Sequence, residues 1–157
     1  FINASPAQGI KSEQVSTQLL QVIRDVPKAV LQAFTACDVE TAKILNLIAI
    51  LIDSRLFFEF LREVYDEKIR LGEKEITDRD LNIFFSDKAL QSDVVAGWTD
   101  TAVRKLKQCI TRMMFEAGLL ESSAKPRIIR PIHIDYRTEE LLAANGLGEY
   151  LKAVKGV

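Results

Sequence analysis

Apolar residues recur at three- and four-residue steps along most of this chain, which is the spacing of helices that bury one face. A first helix is predicted to begin at Ser12 and to end before Pro27. Its apolar face is formed by Val15, Leu19, Val22 and Ile23. A second helix is predicted from Pro27 to about Ala36, because proline suits the first turn of a helix.

The third predicted helix, capped by Asp38, is expected at the centre of the fold because residues 44–52 are apolar on every side. This apolar run is too short for a membrane span, which needs about 20 residues. A long amphipathic helix is predicted over residues 54–71, with Gly72 as its C-terminal cap. Thr77 with Asp80 opens a shorter helix, and residues 86–97 are expected to form a short helical turn followed by a loop.

Thr99 caps the next predicted helix, which runs to Ala117 and ends at Gly118. Two short strands are predicted after it, over residues 119–121 and 127–134, and Pro131 restricts the second to a sheet edge. Two short helices, over residues 138–144 and 148–154, complete the chain. Trp98 is expected to anchor the preceding loop to the core, with a partner interface as the alternative.

These elements predict a mainly α fold: a compact helical domain over residues 1–97, then a C-terminal part over residues 98–157. The helix followed by a short β-hairpin resembles the end of a winged helix, so the second part is expected to be winged-helix-like. One continuous globule is the alternative. Because the sequence starts at Phe1 and not at methionine, we also expect further sequence upstream.

Charge changes this picture only when it is divided by region. The 157 residues carry a net charge of −1, which by itself favours neither nucleic acid nor an acidic membrane. Residues 38–96 contain thirteen acidic and eight basic residues, a net −5. Residues 99–137 contain eight basic and four acidic residues, a net +4. Such asymmetry indicates a local anionic partner.

The helix after Thr99 could present this charge to a nucleic acid. At 100° per residue one face is apolar, and the other collects groups that bind phosphates and base edges. The candidate nucleic-acid-binding residues are Thr101, Arg104, Lys105, Gln108, Thr111 and Arg112, joined from the hairpin by Lys125, Arg127 and Arg130. The alternative is an ordinary solvated helix face, which also carries charge.

Catalytic chemistry is not indicated. The single histidine, His133, cannot support a Ser/His/Asp set, and no phosphate-binding loop, GxSxG or HExxH motif is present. Cys37 and Cys109 lack metal-site spacing and are expected to be reduced thiols. Glu59, Glu63, Asp66 and Glu67 are expected to lie on a solvated helix face. We therefore expect no enzyme, no catalytic residues, no metal and no cofactor.

Three segments together resemble the BrxA family of BREX phage-defence systems. They are LFFEFLREVYDEKIRLGEKEITDRDLNIFFSD (residues 56–87), VVAGWTDTAVRKLKQCITRMMFEAGLLES (residues 94–122) and IIRPIHID (residues 128–135). The resemblance extends over residues 18–135 and depends on the order and spacing of the segments, since none is a catalytic signature.

The resemblance implies a small helical protein, partly similar to the RNA-binding antitermination factor NusB, that binds double-stranded DNA beside other BREX subunits. Family members normally carry a further N-terminal helical segment. We expect a cytoplasmic accessory protein without a membrane partner. Two alternatives stay open: a scaffold that docks onto larger BREX proteins without DNA contact, through its acidic middle and aromatics near Trp98, Phe84 and Phe85, and RNA binding like that of NusB.

Overall fold

The computed structural model describes residues 24–156, so the apolar face predicted for the first helix, residues 15–23, lies outside the described residues. The described part is mainly helical, as predicted. Its helices are α1 (Lys28–Ala33), α2 (Val39–Asp53), α3 (Arg55–Phe60), α4 (Asp66–Arg70), α5 (Asp78–Gln91), α6 (Asp93–Ala96), α7 (Asp100–Glu116), α8 (Tyr136–Ala144) and α9 (Gly148–Lys155).

Side-chain caps fix where most of these helices begin. An oxygen of the residue before the helix accepts a backbone N–H of the first turn, which would otherwise lack a partner. Such caps precede α2, α3, α5, α7 and α8, and are formed by Asp38, Ser54, Thr77, Thr99 and Asp135. The predicted starts at Asp38, Ser54, Thr77 and Thr99 are therefore confirmed.

The long amphipathic helix predicted over residues 54–71 is present, but it is not a regular α-helix. A π-helical turn, Leu61–Tyr65, joins α3 to α4. Phe57, Phe60, Leu61 and Tyr65 are all fully buried along this segment. Gly72 follows with a φ of +72°, which confirms its predicted capping role.

Helix α5 is longer than predicted. It continues through residues 86–91, and α6 occupies most of the segment that was expected to be a loop. The prediction of a short helix was wrong because the polar stretch after Phe85 lacks apolar periodicity. Lys88, buried in this stretch, bonds to carboxylates of α3 and the π-helical turn, so polar contacts replace the apolar ones.

The predicted hairpin is reduced to single β-bridges. Leu120 pairs with Ile129, and Glu75 pairs with Ile128 on the other side, both antiparallel. The amide of Ile76 donates to Arg127 O at 3.0 Å, and the amide of Arg130 donates to Leu119 O at 2.8 Å. The prediction of a strand over residues 127–134 was therefore wrong. The segment before Thr77, through Glu75, also pairs with this region, which was not predicted.

Buried apolar side chains form one cluster that includes residues from both predicted parts, such as Leu45, Phe57, Met114 and Leu151. Trp98 packs partly buried against this cluster, as expected of an anchor. The division at residue 97 stays a prediction. Within residues 24–156, no helix combines the length and hydrophobicity that crossing a bilayer requires.

Candidate nucleic-acid interface

Helix α7 separates an apolar face from a polar one, as its sequence predicted. Ile110 and Met114 are buried, and Val103, Leu106 and Met113 pack beside them against the core. The polar face is exposed to solvent. Its exposed members among the candidate residues are Thr101, Arg104, Lys105, Gln108 and Arg112, which we call the basic face.

Thr111 does not belong to this face, and its predicted exposure was wrong. Its exposed fraction is 5%, and its hydroxyl donates to Lys107 O at 3.2 Å and Gln108 O at 3.0 Å. The helical wheel places Thr111 at the boundary between the two faces, where contact with neighbouring elements decides exposure. Lys107 also turns inward, because its Nζ lies 2.6 Å from Asn82 Oδ1 and 5.6 Å from the ring centroid of Phe85.

Phe115 is an apolar member of the exposed surface that was not predicted. Its exposed fraction is 44%, and its position on the wheel lies between Arg104 and Gln108. The same angular argument that grouped the cations would have found it. An exposed aromatic ring therefore lies next to Arg112, three residues earlier on the same helix, near the C-terminal end of α7.

The cations of the basic face differ in their availability. Arg112 bonds to Glu116 at 2.8 Å one turn later on the same helix, a pair that solvent largely screens. Arg104 and Lys105 are exposed and form no ion pair with any residue in the described range 24–156. These two side chains are free to meet an anion.

The predicted hairpin cations have an internal partner. Lys125 Nζ forms an ion pair with Asp78 at the start of α5, and Arg127 Nη2 bonds to the same carboxylate at 2.8 Å. The hydrogen bonds from Lys125 and Arg127 hold the pKa of Asp78 below its usual value. Arg127 is largely buried and also donates to Ile76 O, whereas Lys125 and Arg130 are exposed. Asp78 therefore competes with any outside anion for Lys125.

Outside the basic face, the carboxylates of Glu59 and Glu63 hold a buried lysine. Lys88 Nζ lies 2.8 Å from Glu59 Oε2 and 2.7 Å from Glu63 Oε1, so these two carboxylates are engaged in holding a buried lysine. Cys37 and Cys109 are free thiols. Within residues 24–156, no group of three or more His, Cys, Asp or Glu side chains is arranged to bind a metal ion.

The predicted docking aromatics are only partly available. Phe84 and Phe85 are buried, so the expectation that they are exposed for a partner was wrong. They pack edge-to-face, with ring centroids 5.5 Å apart, and Phe84 packs in the same way on Phe60. The core therefore buries both of these neighbouring aromatic residues of α5.

Comparisons with known proteins agree with this architecture. A BrxA family model matches residues 11–146. A protein of Bacillus cereus (strain H3081.97) named BREX protein BrxA is 34% identical over 146 residues, which covers 93% of this chain and 73% of that protein. The crystal structure of an uncharacterized protein from Magnetospirillum magneticum superposes with a TM-score of 0.77 at 16% identity, covering 95% of this chain and 86% of that one. This chain belongs to the BrxA family.

Proposed function

We propose that this chain is a non-enzymatic accessory protein of a BREX phage-defence system and that it binds double-stranded DNA through the basic face of α7. The relative named BREX protein BrxA supports the assignment to a BREX system. The observation that carries DNA binding is the pair of exposed cations, Arg104 and Lys105, that lack an ion-pair partner within the described residues.

The order of elements supports a winged-helix-like role for α7. The chain passes from α3 and α4 through the bridge at Glu75 to α5, then through the four-residue α6, which serves as the connection, and α7 to the bridges at Leu120 and Ile128. Winged helices share this order of helix, strand, two helices and hairpin, and their second helix of the pair enters the major groove. We assign that position to α7 and the position of the wing to residues 121–127.

The chemistry of the basic face suits a duplex. Arg104 and Lys105 can neutralise phosphates and release counterions, and Gln108 can bond to a base edge. Arg112 can exchange its exposed partner Glu116 for phosphate at little cost, because the existing pair is solvated. Few base-reading groups are present, so we expect weak sequence preference. A cytoplasmic location and contacts with other BREX subunits follow from the proposal.

The decisive experiment is a salt titration of binding to duplex DNA. The double substitution Arg104→Ala/Lys105→Ala should weaken binding about tenfold or more and reduce the slope of log affinity against log salt by roughly 0.9 for each lost phosphate contact. Arg62→Ala/Lys152→Ala is the matched control, since both residues are exposed and lie outside the basic face. Equal loss in both variants, or none in either, contradicts the proposal.

Single-stranded DNA and RNA serve as competitors in the same titration. Preference for the duplex supports the proposal, whereas tighter binding of RNA would favour a role like that of NusB. The expectation that the helices before residue 97 resemble NusB stays a prediction. Any turnover of nucleic acid or nucleotide by the purified chain would contradict the non-enzymatic part of the proposal.

A further inference from the structure

The exposed side of α7 has an order that its charge alone does not describe. Thr101, Gln108 and Phe115 follow one another at seven-residue steps, so at 100° per residue about 20° separates each from the next. All three side chains are exposed. They therefore form a narrow line of uncharged side chains along the helix, which we call the neutral stripe.

Cations lie on both sides of the neutral stripe. The helical wheel places Arg104 on one side of it and Lys105 and Arg112 on the other, and all three are exposed. The major groove of DNA has the same arrangement, because two phosphate backbones border the edges of the bases. A helix that lies in the groove with the neutral stripe toward the bases therefore directs a cation toward each backbone.

Phe115 is the member of the neutral stripe that phosphate binding does not explain. Its ring is 44% exposed and has no group that could bind an anion. Single exposed apolar residues are common on protein surfaces, but this one lies on the line between the flanking cations. Side chains of a helix lean toward its N-terminus, so the ring covers the turn that contains Arg112 and does not extend beyond the end of α7.

The major groove offers one apolar group to such a ring. The C5 methyl group of thymine lies there and is contacted by phenylalanine, whereas the other base edges present hydrogen-bond donors and acceptors. Gln108 suits those edges, adenine above all. Gln108 and Phe115 lie about 10 Å apart along the helix axis, which is the length of about three base pairs. The neutral stripe can therefore contact an adenine and a thymine methyl group within one short site.

We propose that Phe115 recognises the C5 methyl group of thymine in the major groove, while the flanking cations hold α7 against the two backbones. This inference rests on the proposed function, because it requires that α7 lies in the groove. It assigns the weak sequence preference expected there to one chemical group. Because 5-methylcytosine carries the same methyl group at the same position, it is recognised as well, whereas uracil and cytosine lack the group.

Duplexes that differ only in this methyl group test the inference. Three versions of one sequence are titrated by fluorescence anisotropy: with thymine, with uracil in its place, and with uracil plus 5-methylcytosine in place of cytosine. The wild type should bind the uracil duplex about fourfold more weakly for each methyl group that the ring buries, and 5-methylcytosine should restore part of the loss. The salt dependence should be the same for all three duplexes, since their phosphates are identical.

Phe115→Ala should remove the discrimination. This variant should bind the thymine and uracil duplexes equally, with an affinity close to that of the wild type for the uracil duplex. Phe115→Leu keeps an apolar contact and should retain part of the discrimination. Tyr136→Ala is the matched control, because Tyr136 is an aromatic residue outside α7 that is 76% exposed, and it should discriminate as the wild type does. Circular dichroism confirms that each variant is folded.

The outcomes separate this inference from the proposed function. A wild type that binds the thymine and uracil duplexes equally overturns the inference, and so does a Phe115→Ala variant that still discriminates between them. If Arg104→Ala/Lys105→Ala nevertheless weakens binding to both duplexes, the proposed function stands and the inference alone fails. A wild type that binds none of the duplexes contradicts both.

Discussion

Lys88 shows how one buried charge can be accommodated by its neighbours. Its side chain is 7% exposed and lies between Glu59 and Glu63, with Phe84 beneath its ammonium group. Burial alone lowers the pKa of Lys88, but the hydrogen bonds that its ammonium group donates to Glu59 and Glu63 outweigh it and raise the pKa above the usual value of 10.5. The charged form is therefore favoured by folding.

Replacing Lys88 with methionine should lower the free energy of unfolding by about 2 kcal/mol at neutral pH. This is less than the ~3–5 kcal/mol typical of fully buried pairs, because Glu63 stays in contact with water. Urea unfolding of Lys88→Met measures the change, and Lys152→Met on an exposed helix face is the control.

The pH dependence has a definite sign. Because the folded pKa is raised, the stabilisation by Lys88 is fully present below pH 10.5 and is lost as the pH rises from there through the folded value. The difference between Lys88→Met and wild type should therefore shrink above pH 10.5. A difference that grows with pH would contradict the assignment.

Asp78 should oppose DNA binding, since it occupies Lys125 and Arg127. Asp78→Asn is expected to raise the affinity for duplex DNA and to steepen the salt dependence by up to about 0.9 in slope, as one cation becomes available to phosphate. Asp53→Asn, at an exposed position with the same change in charge, is the control. Weaker binding by Asp78→Asn would mean that the carboxylate positions the turn for DNA instead.

Ion pairs between distant segments, such as the one between Lys125 and Asp78, could not be predicted from the sequence. Periodicity assigned Arg104, Lys105 and Arg112 to the exposed face correctly, because a helical wheel depends only on local geometry. It could not pair Lys125 with Asp78, since contacts between distant segments depend on how the elements pack. The prediction that Thr111 is exposed was wrong for the same reason, because packing against neighbouring elements decides burial at the boundary between two faces.

At the scale of elements, Gly118 ends α7 with a φ of +83°, and a Cβ built there would meet nothing within 4 Å. Gly118→Ala should therefore be destabilised only by its left-handed backbone, by about 1–2 kcal/mol. Gly148→Ala, in the first turn of α9 and also in open space, should be neutral or more stable. Urea unfolding compares the two variants, and equal effects would contradict the backbone explanation.

Capped helices were predictable as elements, whereas the bridges were not. Thr99 and Gly118 carry local signals for both ends of α7, and Thr77 with Asp80 forms a capping box that fixes the start of α5. The partner of Ile128 is Glu75, which lies far earlier in the chain and has no sequence signal of pairing. Short bridges between distant segments depend on tertiary packing and not on local propensity.

On the scale of the whole molecule, the shared core and the bridge between Glu75 and Ile128 should couple both sides of the predicted boundary at residue 97. We expect a single unfolding transition. Fluorescence of Trp98, the one tryptophan, and far-UV circular dichroism should give the same urea midpoint. Separate midpoints would indicate two independently folding domains.

The π-helical turn at Leu61–Tyr65 has a consequence for comparing this chain with its relatives. Such a turn contains one residue more than an α-helical turn, so it acts as a tolerated insertion in the middle of a helix. A relative that lacks one residue here would keep Phe57 and Ile69 in the core and regain a regular helix. A single-residue gap at this point of an alignment would therefore indicate a change from a π-helical to an α-helical turn. If the gap were placed in the loop at Gly72 instead, every residue between the π-helical turn and Gly72 would be aligned with the wrong residue of the relative.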